Sequence, residues 1–101
     1  MILDTKEKQP AEYKDYPIDY TAWLAENAAG DTLASAVKTV TCLTDATDTA
    51  MTVPNLVVSP TAVAPWVAGG TDGKKYKITV TVTTAAGRID QSELIIKVKD
   101  Y

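Results

Sequence analysis

The sequence predicts an all-β domain, a sandwich or barrel of six or seven short strands. Three observations carry this. Tyr76–Thr83 alternates strictly, with Tyr76, Ile78, Val80 and Val82 on one side and Lys77, Thr79, Thr81 and Thr83 on the other. Period two is the strand signature, because successive side chains point to opposite faces of a sheet. Apolar runs then recur at intervals of roughly 8–12 residues with turn residues between them, the spacing of sandwiches and barrels. Finally, Thr is abundant while Phe and His are absent, and a β-branched, half-polar side chain suits the wet face of a strand. One wet and one buried face points to antiparallel pairing.

The elements follow in order. Met1–Glu12 is polar, with Pro10 near its end, and reads as an extended arm that is mobile unless held. Tyr13–Tyr20 contains Pro17, which cannot donate to a ladder, so this is an edge strand or a strand start, with Tyr16, Ile18 and Tyr20 on the core side. Asp19 is placed to cap a short helical turn through Trp23 and Leu24. Ala28–Asp31 is a loop. Thr32–Leu43 is a strand whose apolar residues do not keep one parity: Val37 and Val40 are out of phase, so a bulge is expected near Lys38. Thr44–Ala50 is a turn. Met51–Val58 is a strand with an edge or kink at Pro54. Thr61–Ala68 is another, with Pro65 at a strand end or edge and Trp66 expected in the core. Gly69–Gly73 is a turn-rich loop. It leads into the Tyr76–Thr83 strand, a turn at Ala85–Gly87, and a last strand over Arg88–Lys99.

The 101 residues fit one domain with its own core. The net charge is −3, which gives no pull towards phosphate, so nucleic acid is not an expected partner. Charge is distributed unevenly. Residues 39–73 contain no Lys or Arg and only Asp45, Asp48 and Asp72. Such a middle is either core strands and tight loops or a surface covered by a neighbouring chain, since interface centres are depleted in charge. The start has no apolar run of signal-peptide length, and no segment approaches the ~20 apolar residues of a membrane helix. The expectation is synthesis in a cytosol, with no membrane partner.

No chemistry is legible. Cys42 is the single cysteine, so no internal disulfide forms, and it reads as a small buried hydrophobe. Without His, neither Ser nor Cys has its usual base. The pairs Asp15/Asp19 and Asp45/Asp48 read as turn and cap residues rather than as catalytic carboxylates. The loop at Gly69–Gly73 opens a strand, not a helix, and so lacks the dipole of a phosphate cradle. The ligand set for zinc is missing. Catalytic residues, cofactors and metals are expected to be none. A Trp–Tyr platform for sugar stacking, from Trp23, Tyr13, Tyr16 and Tyr20, is the alternative to core packing of these aromatics.

Two resemblances add to this. Gly70-Thr71-Asp72-Gly73 followed by Lys74–Val82, then Ala86-Gly87-Arg88, is similar to the hairpin of the last two strands in fibronectin type III and other immunoglobulin-like domains, with Tyr76 at the tyrosine-corner position. Two features depart from that pattern: there is no disulfide pair, and Trp66 lies too near the hairpin. The order Lys8–Glu12, Asp15–Leu24, Gly30–Leu33, Trp66–Thr71 and then the hairpin with Asp90–Glu93 resembles small proteins of tailed bacteriophages described as fibre–tail adaptor or virion-associated proteins. This resemblance implies an immunoglobulin/fibronectin type III-like β-sandwich of about seven antiparallel strands over residues 13–101, preceded by an arm over residues 1–12. It implies a non-enzymatic virion component, present in many copies on a symmetric particle and joined to other tail, portal-proximal or capsid proteins. A capsid decoration protein and a carbohydrate-binding or adhesion module are the alternatives. The residues expected at the protein interface are Ile2, Leu3, Lys8 and Pro10 of the arm and Met51, Val53, Pro54, Leu56 and Pro60 of the uncharged middle.

Overall fold

In the computed structural model, which describes residues 2–26 and 30–100 (residues 2–4 by backbone alone), the alternating run is the most deeply buried strand of the domain. Tyr76, Ile78, Val80 and Val82 have no solvent exposure. Eight strands and one helical turn follow in order: β1 (Ile2–Lys8), β2 (Lys14–Asp15), β3 (Ile18–Asp19), α1 (Thr21–Leu24), β4 (Leu33–Cys42), β5 (Met51–Val58), β6 (Ala62–Gly69), β7 (Lys75–Thr84) and β8 (Ile89–Val98). Two four-stranded sheets pack as a sandwich. Sheet A has the order β1-β8-β7-β4; in sheet B, β6 pairs with β2 and β3 on one side and with β5 on the other. The core lies between them: Val63 and Val67 of β6 and Ile18 of β3 face β7 and the Leu94, Ile96 and Val98 side of β8. Across this core the Tyr20 hydroxyl donates to Ser92 Oγ at 2.9 Å, so the two buried polar groups satisfy each other.

The strand expectations hold for β5, β6, β7 and β8. Several details differ. Of the twelve residues expected as an arm, Ile2–Lys8 are extended but lie on their own domain: β1 pairs with β8 in parallel, Thr5 opposite Ile95 and Lys8 opposite Val98. The sandwich therefore has eight strands and one parallel pair, not about seven antiparallel strands. Thr5, Lys6, Glu7 and Lys8 form no apolar face, so the sequence shows no strand signature here; backbone pairing to β8 supplies the ordering. Lys8 locks the end of this strand. It is 1% exposed, and its ammonium donates to the carbonyls of Gln9 at 2.8 Å and Gly69 at 2.7 Å, with Pro10 O at 3.4 Å. Burial pushes its pKa down from the usual lysine value, opposed by the charge of Glu12.

The irregularity in β4 lies between Leu33 and Ser35, not near Lys38; the register with β7 is unbroken from Ser35 to Cys42. Val37 simply faces solvent, 65% exposed. Both strand prolines sit where the ladder is interrupted. Pro65 is buried in the central strand β6, and its carbonyl accepts the Tyr16 N–H at 3.0 Å. Its missing N–H points to the same side, where Pro17 interrupts the pairing between β2 and β3. Pro54 lies in a bulge, since Val53 and Pro54 together oppose the single residue Val67 between the pairs Thr52/Ala68 and Asn55/Trp66. The N-cap position is Tyr20, and Asp19 acts one residue ahead of it: its carboxylate accepts the Thr21 N–H at 2.9 Å and hydroxyl at 2.6 Å.

The turn chemistry is carried by Asp and Tyr. Asp45 accepts from the Thr47 N–H and hydroxyl at 3.0 and 2.7 Å, and Asp48 from the Ala50 N–H at 2.8 Å. Tyr76 Oη accepts the Thr71 N–H at 2.8 Å, tying the loop before β7 back to the strand. Gly70, at φ +106°, lies under this contact; a Cβ there would meet Val98 Cγ2 at 2.7 Å, so no larger residue fits.

Three outcomes follow. Lys8→Met leaves the Gly69 and Gln9 carbonyls without their cationic donor and should cost about 2–3 kcal/mol in urea unfolding; a loss below about 0.5 kcal/mol would contradict the role given to the ammonium. Tyr76→Phe strands the Thr71 N–H and should cost about 1–3 kcal/mol in the same assay. The Thr47 hydroxyl holds Asp45, the Ala50 N–H holds Asp48 and the Thr21 hydroxyl holds Asp19 below the ordinary value of 3.8. A lowered folded pKa adds stability that is present above 3.8 and lost as pH falls through the folded value. Thermal melts should therefore drop below about pH 4, and an Asp45→Asn/Asp48→Asn double variant should drop less steeply there.

Candidate functional site

The outer faces of the two sheets differ in kind. On sheet A the outward residues of β7 are Lys77, Thr79, Thr81 and Thr83, opposite Ile95, Glu93, Gln91 and Ile89 of β8. Charge crosses this face, with Lys77 Nζ 3.4 Å from Glu93 Oε2. Gln91 donates to the Thr81 hydroxyl at 3.1 Å. The arrangement is that of a solvated sheet.

Sheet B carries no charge on β5 or β6, on either face. β6 sends Val63, Pro65 and Val67 inward, so Ala62, Ala64, Trp66 and Ala68 point out. The pairing register puts Thr52, Asn55 and Val57 of β5 beside Ala68, Trp66 and Ala64 on that outer face. Neither β5 nor β6 contains a charged residue. Trp66 is half-buried, because Tyr13 packs on it with ring centroids 5.3 Å apart and planes at 43°. Tyr13 itself is 51% exposed and Val57 45%. Trp66 is therefore not the core tryptophan expected from its apolar surroundings; the alanines beside it fit either face, and only the Val63/Pro65/Val67 parity shows which way it points. Carboxylates rim the patch on one side, with Asp15 opposite Trp66 and Asp19 opposite Ala62. An uncharged centre carrying Trp and Tyr, with a polar rim, is the anatomy of a protein-binding surface.

The second tryptophan has another task. Trp23 closes the core at the end where α1 lies, edge-on to Tyr20 at 6.0 Å. The Arg88 guanidinium covers its ring at 4.3 Å. Arg88 also lies 3.8 Å from the buried carboxylate of Asp31, which accepts the Ala86 N–H at 3.1 Å. This cluster fastens the β3–β4 connection to the β7–β8 turn. Trp23 and Trp66 thus lie at separate places, and Tyr16 and Tyr20 face the core, so the four-aromatic sugar platform considered from the sequence is not assembled.

The residues expected at an interface are dispersed. Met51 and Val53 are each 3% exposed and belong to the core, because they share the inward parity of β5. Lys8 is buried under its carbonyl ligands. Leu56 is partly buried and faces inward opposite Pro65. Pro10 is half-buried in the turn after β1. Pro54 is exposed at the bulge, and Pro60 is exposed in the β5–β6 link, where its carbonyl accepts the Leu33 N–H at 2.9 Å. The side chains of Ile2 and Leu3 lie outside the described residues. The sequence reading did not bring Tyr13 and Trp66 together on one outer face; β6 parity is the signal that does.

A cleft of about 410 Å³ opens between β1 and the β2–β3 edge, lined by Lys6, Asp15, Pro17, Asp19 and Leu94 among others. The Asp19 carboxylate there is already engaged by Thr21. Among the described residues no group of three or more His, Cys, Asp or Glu side chains is placed to hold a metal ion. No helix among them is long and apolar enough to cross a membrane. Cys42 is buried, with its sulfur 3.5 Å from the Thr44 hydroxyl. Burial raises the pKa of the Tyr76 phenol, whose oxygen accepts the Thr71 N–H.

No curated protein matches the chain by sequence. One family model does, over residues 8–97, which span every strand from β2 to β7 and nearly all of β8. Its description is podophage GP4 fiber-tail adaptor protein gp77, and the chain belongs to that family.

Proposed function

We propose that this domain is a non-enzymatic adaptor of the phage tail that docks on another virion protein through the outer face of sheet B. One observation carries the reading: β5 and β6 are uncharged and apolar on the face that the core does not use. A sheet in a free monomer has one apolar face. A second such face, centred on an aromatic pair, is what an assembled partner would cover. The family description supports a link between fibres and tail, and with it a place in the virion beside other structural proteins. The solvated threonine face of sheet A is the natural outward side.

The fold is read as immunoglobulin-like on three supports. β1 lies parallel beside β8; β7 pairs between β8 and β4; and Tyr76 closes a corner on Thr71, five residues upstream. Such a module presents rigid faces and edges and needs no chemistry to act. Its turns are tied by Asp45, Asp48 and Tyr76, so the docking face is ordered before binding and little conformational entropy is lost there.

Trp66→Lys tests this directly. The free domain should unfold within about 1 kcal/mol of the parent, because the ring lies outside the core. Incorporation into particles, measured by supplying the variant to a phage lacking the gene, should fall by about thirtyfold, as expected for loss of an aromatic anchor worth about 2 kcal/mol. Normal incorporation would remove this face as the docking surface.

A further inference from the structure

An adaptor needs two separate attachment points, and the face of sheet B supplies one. The edges of the sheets supply the candidates for the other. Both edges of sheet B are interrupted: the β2–β3 edge at Pro17, and β5 by the bulge at Val53 and Pro54. β4, at the edge of sheet A, is the longest edge strand and has no proline. Its register with β7 is unbroken over Ser35–Cys42.

The phase of its hydrogen bonds can be derived. The Leu43 N–H donates to Lys75 O at 2.8 Å. Residues opposite one another in an antiparallel pair alternate between bonded and non-bonded. Thr41, Thr39 and Val37 therefore bond to β7, while the backbone N–H and C=O of Ala36, Lys38 and Val40 point away from it. β5 packs near β4, but no strand of the described domain hydrogen-bonds to that side. The result is a row of donors and acceptors repeating every two residues, about 6.8 Å. Only another extended strand matches such a row.

Lys38 decides which strand. It is exposed, it is the only charged residue of β4, and it makes no ion pair with a described residue. Two copies pairing antiparallel about this residue would set Lys38 against Lys38, and like charges directly opposite are destabilising. An acidic residue in the same place is favourable. Lysine on an edge thus disfavours this self-pairing while favouring a strand of opposite charge.

We propose that the open edge of β4 receives a strand from a second virion component, with an Asp or Glu of that strand opposite Lys38. The identity of the partner as a virion component rests on the adaptor reading above; the edge itself does not.

Amide hydrogen exchange, read by mass spectrometry on the free protein and on the protein in purified particles, tests this. Segment 35–42 should exchange at least about tenfold more slowly in particles than in the free monomer. Two variants accompany it in the complementation assay. Lys38→Pro removes the unpaired N–H together with the charge, and Lys38→Glu keeps the backbone while reversing the charge; each should lower incorporation about tenfold. If the proline variant melts early, Lys38→Glu and the exchange data decide. Equal exchange of segment 35–42 in both states overturns the proposal. So does protection of that segment in free protein that sediments as a dimer, which would assign the edge to a second copy. Loss of Trp66→Lys from particles with normal incorporation of both Lys38 variants removes the edge and leaves the docking face standing. Normal incorporation of all three variants removes both.

Discussion

β6 is the strand on which sheet B depends. It alone pairs with β2, β3 and β5, so without it these strands have no sheet to join. The period-two geometry of a strand then imposes a constraint. Val63, Pro65 and Val67 must face the core, and Ala62, Ala64, Trp66 and Ala68 must face away. The missing N–H of Pro65 sets where β2 and β3 separate, and the bulge at Pro54 shapes the opposite edge. β6 thus determines the inner packing of the sheet, the interruption of its β2–β3 edge, and the Trp66 and alanine centre of its outer face. The proposed docking rests on the last of these: an uncharged surface around an aromatic pair is suited to burial against another protein.

Several ties keep this arrangement rigid. Lys8 joins the end of β1 to the Gly69 carbonyl at the end of β6, linking the two sheets through a buried ammonium. Tyr20 and Ser92 link them again across the core. Arg88 stacks over Trp23 at the opposite end. Exposed ion pairs such as Lys14–Glu12, at 2.6 Å, add little by comparison. A frame tied at both ends presents its face and its edge in fixed relation, which is what joining two partners requires.

Much of the fold was legible because β7 and β8 obey strict alternation, and because Gly, Asp and Pro punctuate the chain between strands. The failures have specific causes. β1 has no apolar face, so its parallel pairing with a strand some ninety residues distant left no local trace. Val37 is apolar yet exposed, which moved the expected bulge from Leu33/Ser35 to Lys38. Met51 and Val53 read as surface because the middle of the chain is uncharged; that signal was real but belongs to only one of the two faces. Trp66 was misplaced for the same reason, since a strand that is apolar on both sides has no parity contrast to read. The candidate site was therefore legible as a segment and not as a surface. Assigning it needed the register of β5 on β6 and the position of Tyr13.

The most direct measurement of the central claim is an electron cryomicroscopy reconstruction of the assembled tail at a resolution that shows side chains. The account predicts that Trp66 and Tyr13 are covered by a neighbouring chain while Thr79, Thr81 and Thr83 face solvent. A tail in which the threonine face is covered and Trp66 stands in solvent would contradict it.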